Sequence, residues 1–219
     1  MPSLVDEVVN AFMHHDKKSV FTIAISGIDA SGKGYISKLL QEKLETIGYK
    51  VANINIDSWQ NPLPVRLKKE NAAENFYRNV FRWDDFFTQL IIPLRKTGSI
   101  YLATRLIRTD ADEYYSFTYD LKEIDILIIE GILLFQKHLL SHYDLKVWID
   151  CSFENGMQRA ISRNVEHLSE QQLIHDYNTY YYPAQHYHLQ KDNPISLSDI
   201  IYYNDGIVSH VAINSQAPA

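Results

Sequence analysis

The sequence predicts an α/β fold of three layers, with a central, mainly parallel sheet flanked by helices. Three observations predict it. An apolar run at residues 20–25 leads through a glycine-rich loop into a helical pattern. Alternating residues at 49–56 follow that helix, so the segments form a βαβ unit with parallel strands and a right-handed crossover. The almost wholly apolar run at residues 124–129 is typical of a parallel strand buried on both faces.

The composition fits a globular protein and makes several function classes improbable. The chain has 219 residues, of which 46% are hydrophobic and 22% are charged, and we expect a single domain spanning residues 1–219. A net charge of −6 argues against a general nucleic-acid binder. No apolar stretch approaches 18 residues, so we expect no membrane partner. The sequence leaves open whether the protein forms a homo-oligomer.

The setting follows from the cysteine content and the N-terminal residues. Cys151 is the single cysteine, so no internal disulfide can form, which fits a reducing compartment. The N-terminal residues lack the basic start and the apolar run of a secretory signal. We therefore expect a cytoplasmic protein.

The first half of the chain alternates helices and strands. An amphipathic helix is expected at residues 3–15, with Ser3 as its N-cap, and the helix after the glycine loop should end at Gly48. Residues 58–81 are rich in loop formers, and the whole segment 58–120 is interpreted as a substrate loop with an insert. A further helix should start at residues 84–85, with Pro93 near its C-terminal end.

The second half completes the sheet and adds a lid. Residues 99–109 and 114–119 read as a two-stranded hairpin. After a strand at 145–149, helices are expected at 153–164 and 168–182, the latter closed by Pro183, and residues 159–185 are interpreted as a helical lid. A last short strand should occupy residues 200–203, and the tail 214–219 should be disordered.

The loop between the first strand and the next helix reads GIDASGKGY and indicates phosphate binding. Glycines allow a tight turn that brings backbone N–H groups close to phosphate oxygens, and the following helix adds the positive end of its dipole. The alternative is an ordinary strand–helix turn. The predicted nucleotide-binding residues are Gly27, Asp29, Ala30, Ser31, Gly32, Lys33, Gly34 and Tyr35.

One position of this loop departs from the usual phosphate-loop pattern. The residue after the lysine is normally Ser or Thr, whose hydroxyl binds Mg²⁺, whereas Gly34 stands here and Tyr35 follows. The amide groups and Lys33 remain for phosphate binding. The sequence therefore predicts that carboxylates elsewhere carry more of the contact with a hydrated Mg²⁺ ion.

Two carboxylates follow strands whose ends meet at one edge of the sheet. Asp57 comes after the second strand, where it could accept a proton from a substrate hydroxyl, as phosphoryl transfer requires, or contact a metal. Glu130 ends the apolar strand, where an acidic residue could hold Mg²⁺ directly or through water. The alternatives are a turn-forming aspartate and a capping glutamate.

Two arginines lie four residues apart on the helix predicted at 153–164. Phosphoryl transfer needs cations over the charge that develops between the two substrates, and Arg159 and Arg163 could supply them. They are therefore candidate catalytic residues together with Lys33 and Asp57. The alternative is a solvated helix face.

The chain resembles the uridine kinase family, within the wider group of uridine kinase, phosphoribulokinase and pantothenate kinase. The resemblance spans residues 21–205 and rests on ISGIDASGKG, INIDSW, FRWDDFFTQLIIPLRKTGS, ILIIEGILLF, RAISRN, YNTYYYPAQHYH and SDIIYYND. It implies a phosphate-loop kinase that uses ATP and Mg²⁺, with Asp57 as the catalytic base, Glu130 as the Mg²⁺-associated acid, and Arg159 and Arg163 in the lid.

The acceptor is less well defined by the sequence. The hairpin lacks the family's P-x-Y-x-F/Y…H-x-R pattern for the nucleoside base, and Tyr101, Arg105 and Arg108 are the substrate-binding candidates there. The expected acceptor is uridine or cytidine. The alternatives are a pantothenate-like or sugar-like metabolite, or a nucleotide-binding regulatory protein without catalysis, which Gly34 would favour.

Overall fold

A six-stranded sheet forms the centre of the computed structural model, which describes residues 3–16, 18–108, 111–165, 167–206 and 210–214. The strands of the sheet are β1 (Phe21–Gly27), β2 (Val51–Asn55), β5 (Ile126–Glu130), β6 (Leu145–Asp150), β7 (Ile200–Tyr203) and β8 (His210–Ile213). Their order is β2-β5-β1-β6-β7-β8, and all neighbours are parallel except β7 and β8. The predicted fold class is confirmed.

Helices cover both faces of the sheet. They are α1 (Leu4–His14), α2 (Lys33–Thr46), α3 (Leu63–Arg66), α4 (Ala72–Asn79), α5 (Trp83–Asp85, Phe86–Ile91 and Ile92–Thr97), α6 (Phe153–Arg163), α7 (Glu170–Asp176, Tyr177–Tyr181 and Tyr182–Asp192) and α8 (Pro194–Leu197). Short 3₁₀ segments occupy Ile56–Trp59 and Lys137–His142. The chain therefore has the three layers that the βαβ pattern predicts.

The central strands are buried on both faces, and their side chains alternate between two cores. Ile23 and Ile25 of β1 pack with α1 and α2, whereas Ala24 between them packs with α4 and α5. All seven residues of β1 and all five of β5 are buried. The nearly continuous apolar sequence of these strands follows from this double burial.

The C-terminal edge of the sheet gathers the polar residues. Glu130 is in register with Ile25 of β1 on one side and with Asn55 of β2 on the other. The glycine-rich loop leaves β1 at this edge, and Asp57 follows β2 in the 3₁₀ segment. The order of three neighbouring strands thus brings the loop, Asp57 and Glu130 to one place.

Two prolines lie inside helices rather than at their ends. The expectation that Pro183 closes a helix is wrong, because α7 continues to Asp192. A π-helical stretch, Tyr177–Tyr181, comes just before Pro183, and another, Phe86–Ile91, precedes Pro93 in α5. The wider π-helical turn accommodates the proline ring and the loss of the hydrogen bond that a backbone N–H would donate there. Both helices therefore continue past the proline.

Two other segments also differ from expectation. Residues 58–81 contain a helix, α4, which buries Phe76 and Tyr77. At the C-terminal end, Asn214 does not belong to a disordered tail, since its Nδ2 donates to the Ile195 and Ser198 carbonyls at 2.9 and 2.7 Å. Residues 215–219 lie outside the described residues.

The hairpin is present as predicted. β3 (Ile100–Arg108) pairs antiparallel with β4 (Glu113–Leu121) in a separate two-stranded sheet. The Asp112 carboxylate at its tip accepts hydrogen bonds from the Leu63 amide and from Arg66 Nη1, both at 3.0 Å. The hairpin tip is thereby fixed to α3. Across the described ranges, no helix has the length and apolarity to cross a membrane.

Candidate active site

The end of β1 and the loop that follows it contain two positions that require glycine. A Cβ atom on Gly27 would lie 2.5 Å from the Ile149 carbonyl oxygen of the neighbouring strand. Gly32 has a φ of +97°, and a Cβ there would lie 2.5 Å from Asn204 Nδ2. These glycines therefore allow the loop to curve tightly against the sheet edge, so that its amides can approach a phosphate.

Residues distant in sequence hold this loop in place. Asn204 Nδ2 donates to the Ser31 carbonyl at 2.7 Å. Arg159 Nη2 donates to the Asn204 carbonyl at 2.7 Å, and its Nη1 contacts the Ser31 carbonyl at 3.4 Å. In this structure Arg159 thus supports the loop backbone.

Asp29 connects the loop to α7. Its amide donates to Gln185 Oε1 at 2.7 Å, and its Oδ2 accepts a hydrogen bond from the Tyr177 hydroxyl at 2.7 Å. Arg163 Nη2 lies 3.8 Å from the other carboxylate oxygen. The predicted lid helices therefore contact the loop through this carboxylate.

Lys33 lies at the first position of α2, where the sequence predicts it. Only 7% of the residue is exposed, and its ammonium donates to the Ile28 carbonyl at 2.8 Å. This bond folds the side chain back along the loop. The position is suitable for a cation that meets the outer phosphates of a nucleotide.

Two acidic side chains line the cleft beside this loop. Glu130 is 5% exposed, and burial together with the nearby Asp57 carboxylate raises its pKa to about 7, although Lys33 opposes the shift. The pKa of Asp57 is also raised, first by desolvation and then by the Asp29 carboxylate, against the effect of Lys33. The two carboxyl groups therefore influence each other, and a cation placed between them would favour their charged forms.

The raised pKa of Glu130 predicts a pH-dependent stability of the nucleotide-free protein. The pKa rises from 4.5 to about 7, so the folded state binds a proton in this range that the unfolded state has released. The free energy of unfolding should therefore fall by about 1–3 kcal/mol between pH 5 and 8. Urea unfolding without nucleotide or Mg²⁺ should show that Glu130→Gln removes this part of the slope; an unchanged slope would contradict the assignment.

A cleft of about 1410 Å³ extends from the loop towards the hairpin. Near the loop it is lined by Lys33, Glu130, Arg159 and Arg163, and Asp57 also faces it. Its other walls come from α3, α4 and the hairpin, with two aromatic rings, one aliphatic side chain and two guanidinium groups: Phe76, Tyr115, Ile107, Arg66 and Arg108. The cleft can thus hold a nucleotide and a second small molecule.

The hairpin candidates are placed differently from one another. Arg108 lines the cleft. Tyr101 is 77% exposed, and Arg105 lies over the Tyr114 ring at 5.0 Å; neither lines the cleft. The roles of all three residues in substrate binding stay predictions. The geometry favours Arg108, because it lines the cleft.

Several residues at the site were not found from the sequence. Asn204 is predicted as a turn residue and Tyr177 as a helix position, whereas Gln185 lies beyond the helix end predicted at Pro183. All three nevertheless hold the loop. Arg66 reads as part of a charged loop, but it is 5% exposed and lines the cleft. The sequence gives only a weak signal for the roles of these residues at the site, because each contact joins residues far apart in the chain.

The residues present fit a nucleotide phosphate and a hydrated Mg²⁺ ion. At Gly27 and Gly32, an added Cβ would clash with neighbouring atoms, so only glycine lets the loop come this close to the sheet edge. At Gly34, an added Cβ would lie 3.5 Å from Glu130 Oε1, which is ordinary contact, so there is space in front of this carboxylate. Among the described residues, no group of three His, Cys, Asp or Glu side chains could hold a metal by itself. A metal here would therefore depend on phosphate and water oxygens in addition to Glu130 and Asp57.

The sequence matches one family model, and the fold matches solved kinase structures. The model of the phosphoribulokinase/uridine kinase family matches residues 22–170. A structure described as a possible uridine kinase from Bacillus stearothermophilus is 21% identical, with a TM-score of 0.70 over 90% of this chain and 96% of that chain. At this identity the likeness shows the fold.

Two further structures share the fold. D-glycerate 3-kinase from Cryptococcus neoformans is 10% identical, with a TM-score of 0.65 over 97% of this chain and 100% of that chain. A candidate fructose transport system kinase from Silicibacter sp. TM1040 is 16% identical, with a TM-score of 0.68 over 86% and 95%. Among curated protein sequences, no match to this chain was found.

Proposed function

The chain belongs to the phosphoribulokinase/uridine kinase family and is a kinase, and from this premise we propose that it transfers a phosphoryl group from ATP to a hydroxyl of a nucleoside. One observation carries this proposal. The glycine-rich loop, Lys33 and two carboxylates, Asp57 and Glu130, line one cleft that also has room for an acceptor.

Asp57 is proposed as the catalytic base. A carboxylate whose pKa is raised accepts a proton more readily than an ordinary aspartate, and Asp57 lines the cleft in which the acceptor hydroxyl would lie. The acceptor oxygen would form a bond to the γ-phosphorus while its proton passes to Asp57. The bond to the leaving ADP oxygen would break in the same displacement.

The cations of the cleft are proposed to stabilise the charge that this displacement moves. Lys33 would contact the outer phosphates, and Arg163, which lies beside Asp29 at the loop, would approach them from the lid. Arg159 would hold the loop through the Ser31 and Asn204 carbonyls. When bound, Mg²⁺ neutralises phosphate charge, and Glu130 and Asp57 are the side chains that would hold its water shell.

A second candidate acceptor is a charged, hydroxylated metabolite. Arg66 and Arg108 both line the cleft near the hairpin, although Arg66 is already paired with Asp112 at 3.0 Å. Guanidinium groups beside an aromatic wall can hold a carboxylate or a phosphate as well as the edge of a base. This observation favours testing acidic acceptors next to nucleosides.

An acceptor panel with labelled ATP tests the proposal. Uridine, cytidine, pantothenate, D-glycerate and simple sugars would each be incubated with the protein, ATP and Mg²⁺, and transfer of label would be followed by chromatography. We expect label on a nucleoside. Transfer of label to an acid or a sugar would contradict the nucleoside assignment and identify the other compound as the acceptor. ATP binding without transfer to any acceptor would favour a regulatory nucleotide-binding protein.

Gly34→Ser tests whether the absence of a hydroxyl at this position affects the Mg²⁺ requirement. A side chain fits at this position, since the added Cβ would lie in ordinary contact with Glu130 Oε1 at 3.5 Å. The new hydroxyl should offer one more oxygen to the metal, so the Mg²⁺ concentration that gives half-maximal activity should fall. Gly34→Ala is the matched control, and equal Mg²⁺ requirements in the serine, alanine and wild-type proteins would contradict this account.

A further inference from the structure

The two lid helices, α6 and α7, rest on Asp29 and Ala30 of the glycine-rich loop. Helix α6 passes so close to the loop that a Cβ on Gly156 would lie 3.1 Å from the Asp29 carbonyl oxygen. Ala30 belongs to a small core that is separate from the two cores of the sheet. The other buried members of this small core come from α6 and α7 and are Ala160, Leu173, Tyr177 and Tyr182.

A buried tyrosine fixes the Asp29 carboxylate. Tyr177 is 0% exposed, and its hydroxyl donates to Asp29 Oδ2 at 2.7 Å. Asp29 Oδ1 accepts a hydrogen bond from the Ala30 amide at 2.8 Å, and the Asp29 amide donates to Gln185 Oε1 at 2.7 Å. Because both carboxylate oxygens and the backbone N–H of Asp29 are engaged, its side chain is held in one orientation.

The fixed carboxylate meets a lid arginine at the cleft. Arg163 Nη2 lies 3.8 Å from Asp29 Oδ1, and both residues line the cleft. Burial raises the pKa of Asp57 and of Glu130, and the Arg163 charge opposes both shifts, so the guanidinium lies within electrostatic reach of these carboxylates. The Arg163 side chain is 47% exposed, and such a long, exposed pair contributes little to stability. Phosphate oxygens can therefore replace the carboxylate as its partner at small cost.

A carboxylate in a phosphate-binding loop is unfavourable for the ligand by itself. Asp29 lines the cleft together with Asp57 and Glu130, and each of these charges repels a phosphate. Within the part of the chain that the structure describes, the three do not form a group that could hold a metal. The contacts of the Asp29 side chain are instead with the lid, through Tyr177 and Arg163.

We propose that Asp29 is a positioning residue for Arg163. The Tyr177 hydroxyl holds the Asp29 carboxylate, and the carboxylate keeps the Arg163 guanidinium over the loop before ATP binds; the outer phosphates then become its partner. This role rests on the proposed function, in which Arg163 stabilises the charge that phosphoryl transfer moves. A cation that is already in place spares the reaction the cost of bringing it in at the moment of transfer.

Tyr177→Phe tests this role, because it removes the hydroxyl and keeps the buried ring. We expect kcat to fall about tenfold, the effect of a lost hydrogen bond to a charged group, with a KM for ATP within about twofold of the wild type. Asp29→Asn should also lower kcat without raising KM for ATP, since it removes a negative charge beside the phosphates. Tyr180→Phe is the matched control, because Tyr180 lies on the same helix but packs in the core that faces α4 and α5, and it should retain wild-type kcat.

Double variants show whether Asp29 and Tyr177 act through Arg163. Arg163→Met should lower kcat, and Tyr177→Phe should add little to the loss in that background, because residues that act as one unit are not additive. Additive losses, a wild-type kcat in Tyr177→Phe, or a raised KM for ATP in Asp29→Asn would overturn the proposal. An unchanged kcat in Arg163→Met would contradict the catalytic role of Arg163 itself, and this inference with it.

A second measurement needs no acceptor. The Nε–H signal of Arg163 in ¹⁵N-labelled, nucleotide-free protein, assigned with Arg163→Met, reports through its order parameter how rigidly the side chain is held. This order parameter should be higher in the wild type and in Tyr180→Phe than in Tyr177→Phe and Asp29→Asn, and ATP should shift the wild-type signal. Equal order parameters in all four proteins would overturn the proposal even if no acceptor were phosphorylated.

Discussion

Replacing Asp57 by asparagine should lower kcat by about 10²–10⁴-fold, the range that general-base catalysis contributes. The change keeps the shape of the side chain and removes the carboxylate that would take the acceptor proton. Asp57 lies in a 3₁₀ segment, where its amide donates to Asn55 Oδ1 at 2.6 Å, so the backbone there is fixed by a neighbour. The substitution should therefore leave the melting temperature nearly unchanged.

The measurement is the steady-state rate with the acceptor that the panel identifies, at saturating ATP and Mg²⁺. Asp120→Asn is the matched control, because Asp120 lies on β4 and contacts the exposed Lys122 at 3.3 Å. It should retain wild-type kcat. Turnover by purified Asp57→Asn within a few fold of the wild type would exclude Asp57 as the base.

Lys33→Met should reduce kcat by about 10²–10³-fold, as expected when one preorganised donor to developing charge is removed. The substitution keeps the length of the side chain and removes its ammonium group. Lys33 is buried at the loop, where its ammonium donates to the Ile28 carbonyl at 2.8 Å. ATP affinity should fall as well.

Lys38→Met provides the control on the same helix, since Lys38 is exposed on α2. Rates and ATP affinities of both variants would be measured under the same conditions, with circular dichroism to compare their folding. A loss of activity in Lys33→Met with unchanged folding supports a direct role on the phosphates. Equal losses in both variants would indicate a general effect of charge on the helix instead.

The strands that the sequence predicts, and the glycine-rich loop between β1 and α2, agree with the structure because they depend on local sequence. A run such as ILIIE is typical of a strand buried on both faces in the centre of a parallel sheet. The glycines at positions 27 and 32 meet steric limits that no other residue satisfies. The positions of Asp57 and Glu130 followed from the same pattern. Residues after parallel strands meet at one edge.

Proline illustrates where local reasoning was misleading. Pro183 predicts the end of a helix, yet it follows a π-helical stretch and the helix continues to Asp192. Pro93 also follows a π-helical stretch, but it lies near the C-terminal end of its helix, at Thr97, as predicted. The continued part of α7 is packed in the core through Tyr182 and Ala184. Burial of these side chains outweighs the local cost of the proline, an effect that depends on tertiary contacts.

The sequence by itself therefore predicted five strands of the main sheet, the glycine-rich loop and the two acidic residues beside it, because chain geometry and backbone sterics act over a few residues. It did not predict β8 (His210–Ile213) or the order of the strands. Only the tertiary structure decided how the loop is held. Asn204 is 173 residues from Ser31, and Gln185 is 156 residues from Asp29, along the chain. Such contacts form only when the sheet order and helix packing bring distant segments together.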